Sequence, residues 1–214
     1  RGVRVLGRRA RPVAQDYVDL FDELSDDLGA RPVPDADRAL VRSAYEAAAS
    51  LAGEEGFTES PMLLESGILV PATDTVLDDA PWLSERAHAA GMLFQDPGLG
   101  ENVARAFGVR LLSSAVFERP QSERPSRDSE FVRECTTLQS RLRSSQMRAG
   151  VQRLLIASGV AVRSEDLRRF FSQLRVIPVA DLKTTLVWVD GDIPVEGSQG
   201  ACDVVFDPRR NAVV

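Results

Sequence analysis

From Val13 to Leu28 the apolar side chains Tyr17, Leu20, Phe21, Leu24 and Leu28 recur at helical spacing while acids fill the opposite face. That pattern predicts an amphipathic helix stopped by Gly29. A second helix follows, with Asp35 or Asp37 as its cap, a stripe of Leu40, Val41, Ala44, Tyr45, Ala48 and Leu51, and Gly53 and Gly56 at its end. The texture then changes. PMLLES, GILVPA and TVL are short apolar runs divided by Ser66-Gly67 and Thr73-Asp74, as in a hairpin or small meander. Asp78-Asp79-Ala80-Pro81-Trp82 predicts the capped start of a short helix running through His88. MLFQ reads as a brief strand, Gly98 to Phe107 as a helix with Val103, Ala104 and Phe107 inward, and Val109, Leu111 and Leu112 as an extended stretch.

Glu118 to Asp128 is polar, carries two prolines and lacks large apolar residues, which makes it the best linker in the chain. Beyond it Phe131, Cys135, Leu138 and Leu142 form one helical stripe, and Met147, Val151, Leu154 and Leu155 another, with a break near Ser144-Ser145. Ser164 caps a third short helix through Leu174. Strands and turns close the chain: VIPV, TTLVWV, a hairpin turn at Asp190-Gly191, CDVVF, Asp207-Pro208 and NAVV.

These elements predict an α+β chain of two small lobes, each packing amphipathic helices on short, mostly antiparallel strands. Residues 1–118 form an acidic helix-plus-strand lobe, 119–128 the linker, and 129–214 a basic helical segment followed by a small β unit. The length of 214 residues and the balance of 43% hydrophobic to 27% charged side chains suit a globular protein that needs no disulfide, metal or cofactor to hold a core. Cys135 and Cys202 offer neither a disulfide framework nor zinc-ligand spacing, so both read as reduced thiols in the cytoplasm. With no apolar run of about 18 residues and no leader pattern, nothing is expected to span a membrane. A first residue of Arg1 rather than Met reads as a piece of a longer polypeptide.

The net charge of −6 conceals segregation. Residues 1–11 carry +5, 12–118 carry −14, 119–182 carry +5 and the rest −2. The basic stretch from Arg119 to Arg175 places Arg141, Arg143, Arg148 and Arg153 close together on consecutive helices, a candidate interaction surface. Such a face could be solvated, pair with the acidic lobe, meet nucleic-acid phosphates, or meet another protein. No aromatic side chain falls between Arg141 and Arg153, which argues against stacking on single-stranded bases.

Candidates for catalysis are few. Gly98-Leu99-Gly100-Glu101-Asn102-Val103-Ala104 matches a loose dinucleotide loop, but without an expected parallel strand before it or repeated βαβ units it reads as a structural turn. His88 is the sole imidazole and lies on a short helix, so it reads as a surface histidine. Cys135 sits on an apolar stripe and Cys202 in a strand, neither beside an activating group. Asp22, Asp26 and Asp27 lack the calcium-loop pattern. The common hydrolase, nucleotide-loop and zinc-protease motifs are absent. No catalytic, cofactor-binding or metal residue is therefore assigned.

Three motifs in order carry a resemblance: Gly67-Ile68-Leu69-Val70-Pro71-Ala72, Asp78-Asp79-Ala80-Pro81-Trp82-Leu83, and Phe107-Gly108-Val109-Arg110-Leu111-Leu112. Over about residues 60 to 115 the chain resembles the large sacsin-like and NO VEIN-like proteins. From Phe131 to Val214, a helical stretch followed by V-I-P-V-A-D-L and paired strands looks like the C-terminal continuation in bacterial members. Those proteins carry a Bergerat-type ATPase unit, similar to the ninety-kilodalton heat-shock chaperone and histidine kinases. Its set of a Glu/Asp-x-x-x-Asn helix, a D-x-G-x-G loop and a G-x-G lid is not supplied here. The resemblance thus implies a segment downstream of the ATPase unit, a scaffold whose partners are the remainder of its own polypeptide or another protein. Pro71, Asp79, Pro81, Trp82 and Gly108 are implied to be architectural: turns, a cap and a core aromatic.

Overall fold

A computed structural model describes residues 12–52, 56–202, 204–207 and 210–214; the five leading arginines and Gly53 lie outside the described residues. The chain is α+β and divides into two units. One comprises the described residues up to Val116 together with Trp188–Gly191; the other comprises Phe117–Val187 and Asp192–Val214.

In the first unit, α1 (Ala14–Leu28) and α2 (Asp35–Leu51) form where the apolar stripes predict them. Gly29 ends α1 at φ 55, a conformation that costs glycine no side-chain clash. Pro34 precedes α2, and no side chain caps it. Asp35 and Asp37 instead sit in its first turn, where their charge complements the exposed amides. Strands β1 (Pro61–Leu63) and β2 (Leu69–Pro71) make an antiparallel hairpin pairing Met62 with Val70. A 3-10 turn at Ala72–Asp74 leads into β3 (Thr75–Leu77), then α3 (Pro81–Ala89), β4 (Leu93–Phe94), α4 (Glu101–Phe107), β5 (Arg110–Leu111) and α5 (Leu112–Ala115). Here the expected meander gives way to a parallel sheet in the order β4-β3-β5. Helices α3 and α4 lie between its strands in sequence, and parallel neighbours require such crossovers. The core is aromatic: Phe21 stacks on Tyr45 with centroids 4.0 Å apart, and Phe107 meets both edge-on.

The stretch expected as a linker instead contributes most of β6 (Val116–Pro125). Polar side chains do not prevent this, because ladder hydrogen bonds come from the backbone, and Pro120 and Pro125 are tolerated on an edge strand. In the second unit there follow α6 (Ser129–Leu142), α7 (Ser145–Ala157), α8 (Ser164–Gln173), β7 (Arg175–Val176), β8 (Val179–Trp188), β9 (Gly200–Ala201), β10 (Phe206–Asp207) and β11 (Ala212–Val213). They form two sheets, β6-β8-β9 and β10-β11-β7, the latter with β7 parallel to β11. Asp128 caps α6 by accepting from the amides of Glu130 and Phe131, and the break at Ser144 is a cap on Met147. Ser164 is not the cap of α8; it is the first helical residue, and its hydroxyl accepts from Gln152. Leu167, Phe171 and Leu174 form a small core with Leu142, Val151 and Leu155 packed against it.

Candidate interaction surface

The four arginines singled out by sequence do not act alike. The Arg143 guanidinium Nε donates to the Leu174 carbonyl at 2.9 Å, so this residue ties the end of α6 to the end of α8. Beside it the Gln139 side chain accepts from the Val176 amide at 2.8 Å. Arg141 and Arg153 are exposed and Arg148 is half-buried, and among the described residues none of the three meets a carboxylate. Arg148 and Arg153 stand five positions apart, which turns them about 140° from one another around α7. Those two therefore face different sides of α7.

What the structure adds is the apolar character of α7. This helix buries no residue completely. Val151 and Leu155 lean on the core of α8, but Leu154 is 69% exposed, Ile156 is 64% exposed, and Met147 is exposed as well. The sequence stripe of Met147, Val151, Leu154 and Leu155 is thus split between an inner and an outer face. Ile156, which lies off that stripe, is the signal that more than one face is apolar.

The chemistry candidates resolve into structure. Gly98 and Gly100 do follow a parallel strand, β4, and open α4, so the expectation of no βαβ crossover there is corrected. A Cβ on Gly98 would lie 2.5 Å from the Arg42 Nε. Arg42 Nη2 donates to Asp96 Oδ2 at 2.8 Å, while Asp96 Oδ1 accepts from the Gly98 amide at 2.7 Å. The loop thus packs around an ion pair of its own unit. His88 has as neighbours Phe94, stacked on it at 3.9 Å, and Glu65, whose Oε1 lies 3.3 Å from its Nδ1. Cys135 and Cys202 are both free and line one cavity of about 460 Å3 with Phe131 and Leu138. Burial, reinforced by Glu134, pushes the Cys135 thiol up from its ordinary value. Among the described residues, no three His, Cys, Asp or Glu side chains gather as a metal site, and no helix is long and apolar enough to cross a membrane.

The motif residues occupy specific places. Asp79 Oδ1 accepts from the Ser113 amide at 2.9 Å and its other oxygen from the Ser113 hydroxyl, so it fastens α5 rather than capping α3. Pro81 opens α3, and the Pro71 carbonyl accepts from Thr75. Gly108 ends α4 at φ 71, where a Cβ would approach Thr58 Cγ2 to 2.7 Å. Trp82 is no core aromatic: it is 70% exposed, because α3 turns Leu83 and Ala87 inward and position 82 falls about 100° away. Compared with models of protein families, with curated proteins and with solved structures, the chain matches none.

Proposed function

We propose that the chain is a non-catalytic segment that binds another protein through the outer face of α7, within the larger sacsin-like ATPase implied by its motifs, where it positions or responds to a distant nucleotide site. The observation that carries this reading is a helix that buries no residue while holding Met147 and Leu154, seven positions apart and so on one side of it, in water. Exposed apolar surface gathered on one element marks an interaction site. The charges select the partner: α7 contains Arg148 and Arg153 and no acid, which suits an acidic protein surface. Nucleic acid is the less supported occupant, since the arginines point apart and large aliphatic side chains lie among them.

A photo-crosslinking residue placed at position 154 of the parent protein, in the cell that makes it, tests this. We expect protein adducts that mass spectrometry maps to an acid-rich peptide. Nuclease-sensitive adducts, or none, count against the reading. Titration with ATP and magnesium should leave the melting temperature of the chain unchanged, and a saturable rise would remove the non-catalytic part.

A further inference from the structure

The first unit carries a complementary surface. Leu20, Leu24 and Leu28 of α1 face Leu40, Val41 and Ala44 of α2 across a groove of about 340 Å3. Its lip is Leu40, 73% exposed. Helix α1 holds six acids and no base, and Glu23 and Asp27 follow the groove residues Leu20 and Leu24 by three positions, which sets their carboxylates along its edge. Asp37 contributes to the opposite wall. Among the described residues no cation pairs with the carboxylates of Glu23, Asp27 or Asp37; Arg31, nearby, donates to the backbone carbonyls of Asp27 and Leu28. An apolar trough with an acidic rim accepts an amphipathic helix whose anchors are aliphatic and whose flanks are basic.

Helix α7 meets that description. Met147, Gly150, Leu154 and Ala157 follow one another at i, i+3, i+7 and i+10, the spacing of a helix that lies along a groove. None of them is buried, and a Cβ on Gly150 would meet nothing within 4 Å. Arg153 stands beside this stripe, exposed. We propose that the groove between α1 and α2 receives α7 of a second copy of this chain, so that copies join head to tail. The inference rests on the reading of α7 as a docking helix and adds the identity of what it docks on. Because the two surfaces differ, the contact is heterologous: a joined pair keeps one free groove and one free helix, and assembly continues past the dimer unless a ring closes.

Sedimentation velocity on the full chain, from low to high micromolar concentration and at low and high salt, reads the outcome. We expect mass to rise with concentration beyond the dimer and to fall back at high salt, which screens the rim charges. Leu40→Asp and Leu154→Asp change exposed positions, so both variants should fold, as melting curves will verify, and each should weaken association about tenfold or more. Mixing the two variants should restore a heterodimer that grows no further, since one supplies an intact groove and the other an intact helix. A wild-type chain that stays monomeric, single variants that associate normally, or a mixture that gains no heterodimer would each overturn the proposal. A monomeric chain combined with crosslinks from position 154 to a different protein would remove the second copy while leaving the docking role of α7 in place.

Discussion

Arg42 on α2 and Asp96 before α4 form an ion pair at 2.8 Å in which the carboxylate is buried and the guanidinium is partly open to water. The pair joins the second helix to the loop that starts the fourth, and Gly98 leaves room for it. Arg42→Ala leaves Asp96 with the Gly98 amide as its remaining hydrogen-bond donor in the loop. Water can reach part of the vacated space, so the expected loss is about 1–3 kcal/mol, measured as a shift in the urea midpoint at constant slope. Gly98→Ala should move stability in the same direction by displacing Arg42.

Tyr45 gives the molecule a specific response to alkali. Burial pushes its phenol far above the ordinary value of 10.0, and its hydroxyl donates to the Pro61 carbonyl at 2.8 Å. Below pH 10 the group is neutral in both folded and unfolded chains, and its contribution is fully present. Above pH 10 the unfolded chain releases this proton while the folded chain retains it, so stability falls by about 1.4 kcal/mol per pH unit from this residue. Tyr45→Phe removes that component of the slope, which denaturant titrations at several alkaline pH values will reveal. An unchanged slope would contradict the burial.

Ser198 is a compact polar knot. Its hydroxyl accepts from the Leu186 amide at 2.9 Å and donates to the Val195 carbonyl at 2.6 Å, all buried. Ser198→Ala leaves that amide short of a partner and should cost about 1–3 kcal/mol by thermal or chemical unfolding.

Cys135 should react slowly with thiol reagents. Its thiol is nearly covered and held protonated by burial, and the thiolate is the reactive species. Labelling in the folded chain is expected to lag behind labelling of the same residue in urea, as peptide mapping can follow. Equal rates would show that the α6 face opens freely.

Trp82→Ala separates two accounts of the D-A-P-W motif. An exposed ring predicts a stability change within about 0.5 kcal/mol, whereas loss of a core tryptophan costs about 3–5 kcal/mol. Equilibrium unfolding decides between them.

The helices were legible because their stripes are long: α1 and α2 start and stop within a residue or two of where their apolar spacing and glycines place them. The β1–β2 hairpin was legible from Ser66-Gly67. Pairing direction was not, since strands of two or three residues such as β3, β4 and β5 carry too few side chains to show which neighbour they take. β6 escaped because its stability lies in backbone bonds to the sheet while its sequence, with Pro120 and Pro125, reads as a connection. At the candidate surface, charge drew notice to the arginines, but the structural role of Arg143 depends on a carbonyl 31 positions away. The outward turn of Leu154 and Ile156 depends on how much of α7 the short α8 can cover, a tertiary quantity that periodicity does not contain.

The segment Trp188–Gly191 belongs to the unit built by the first half of the chain, where Arg110 lies over the Trp188 ring at 5.1 Å and pairs with Asp190 at 2.9 Å. A fragment cut after residue 116 would lack both partners, and one that starts at residue 117 would carry them away from where they pack. Fragment boundaries drawn from chain order alone would therefore dissect neither piece cleanly; a circular permutant or a co-expressed pair is the better way to study each half.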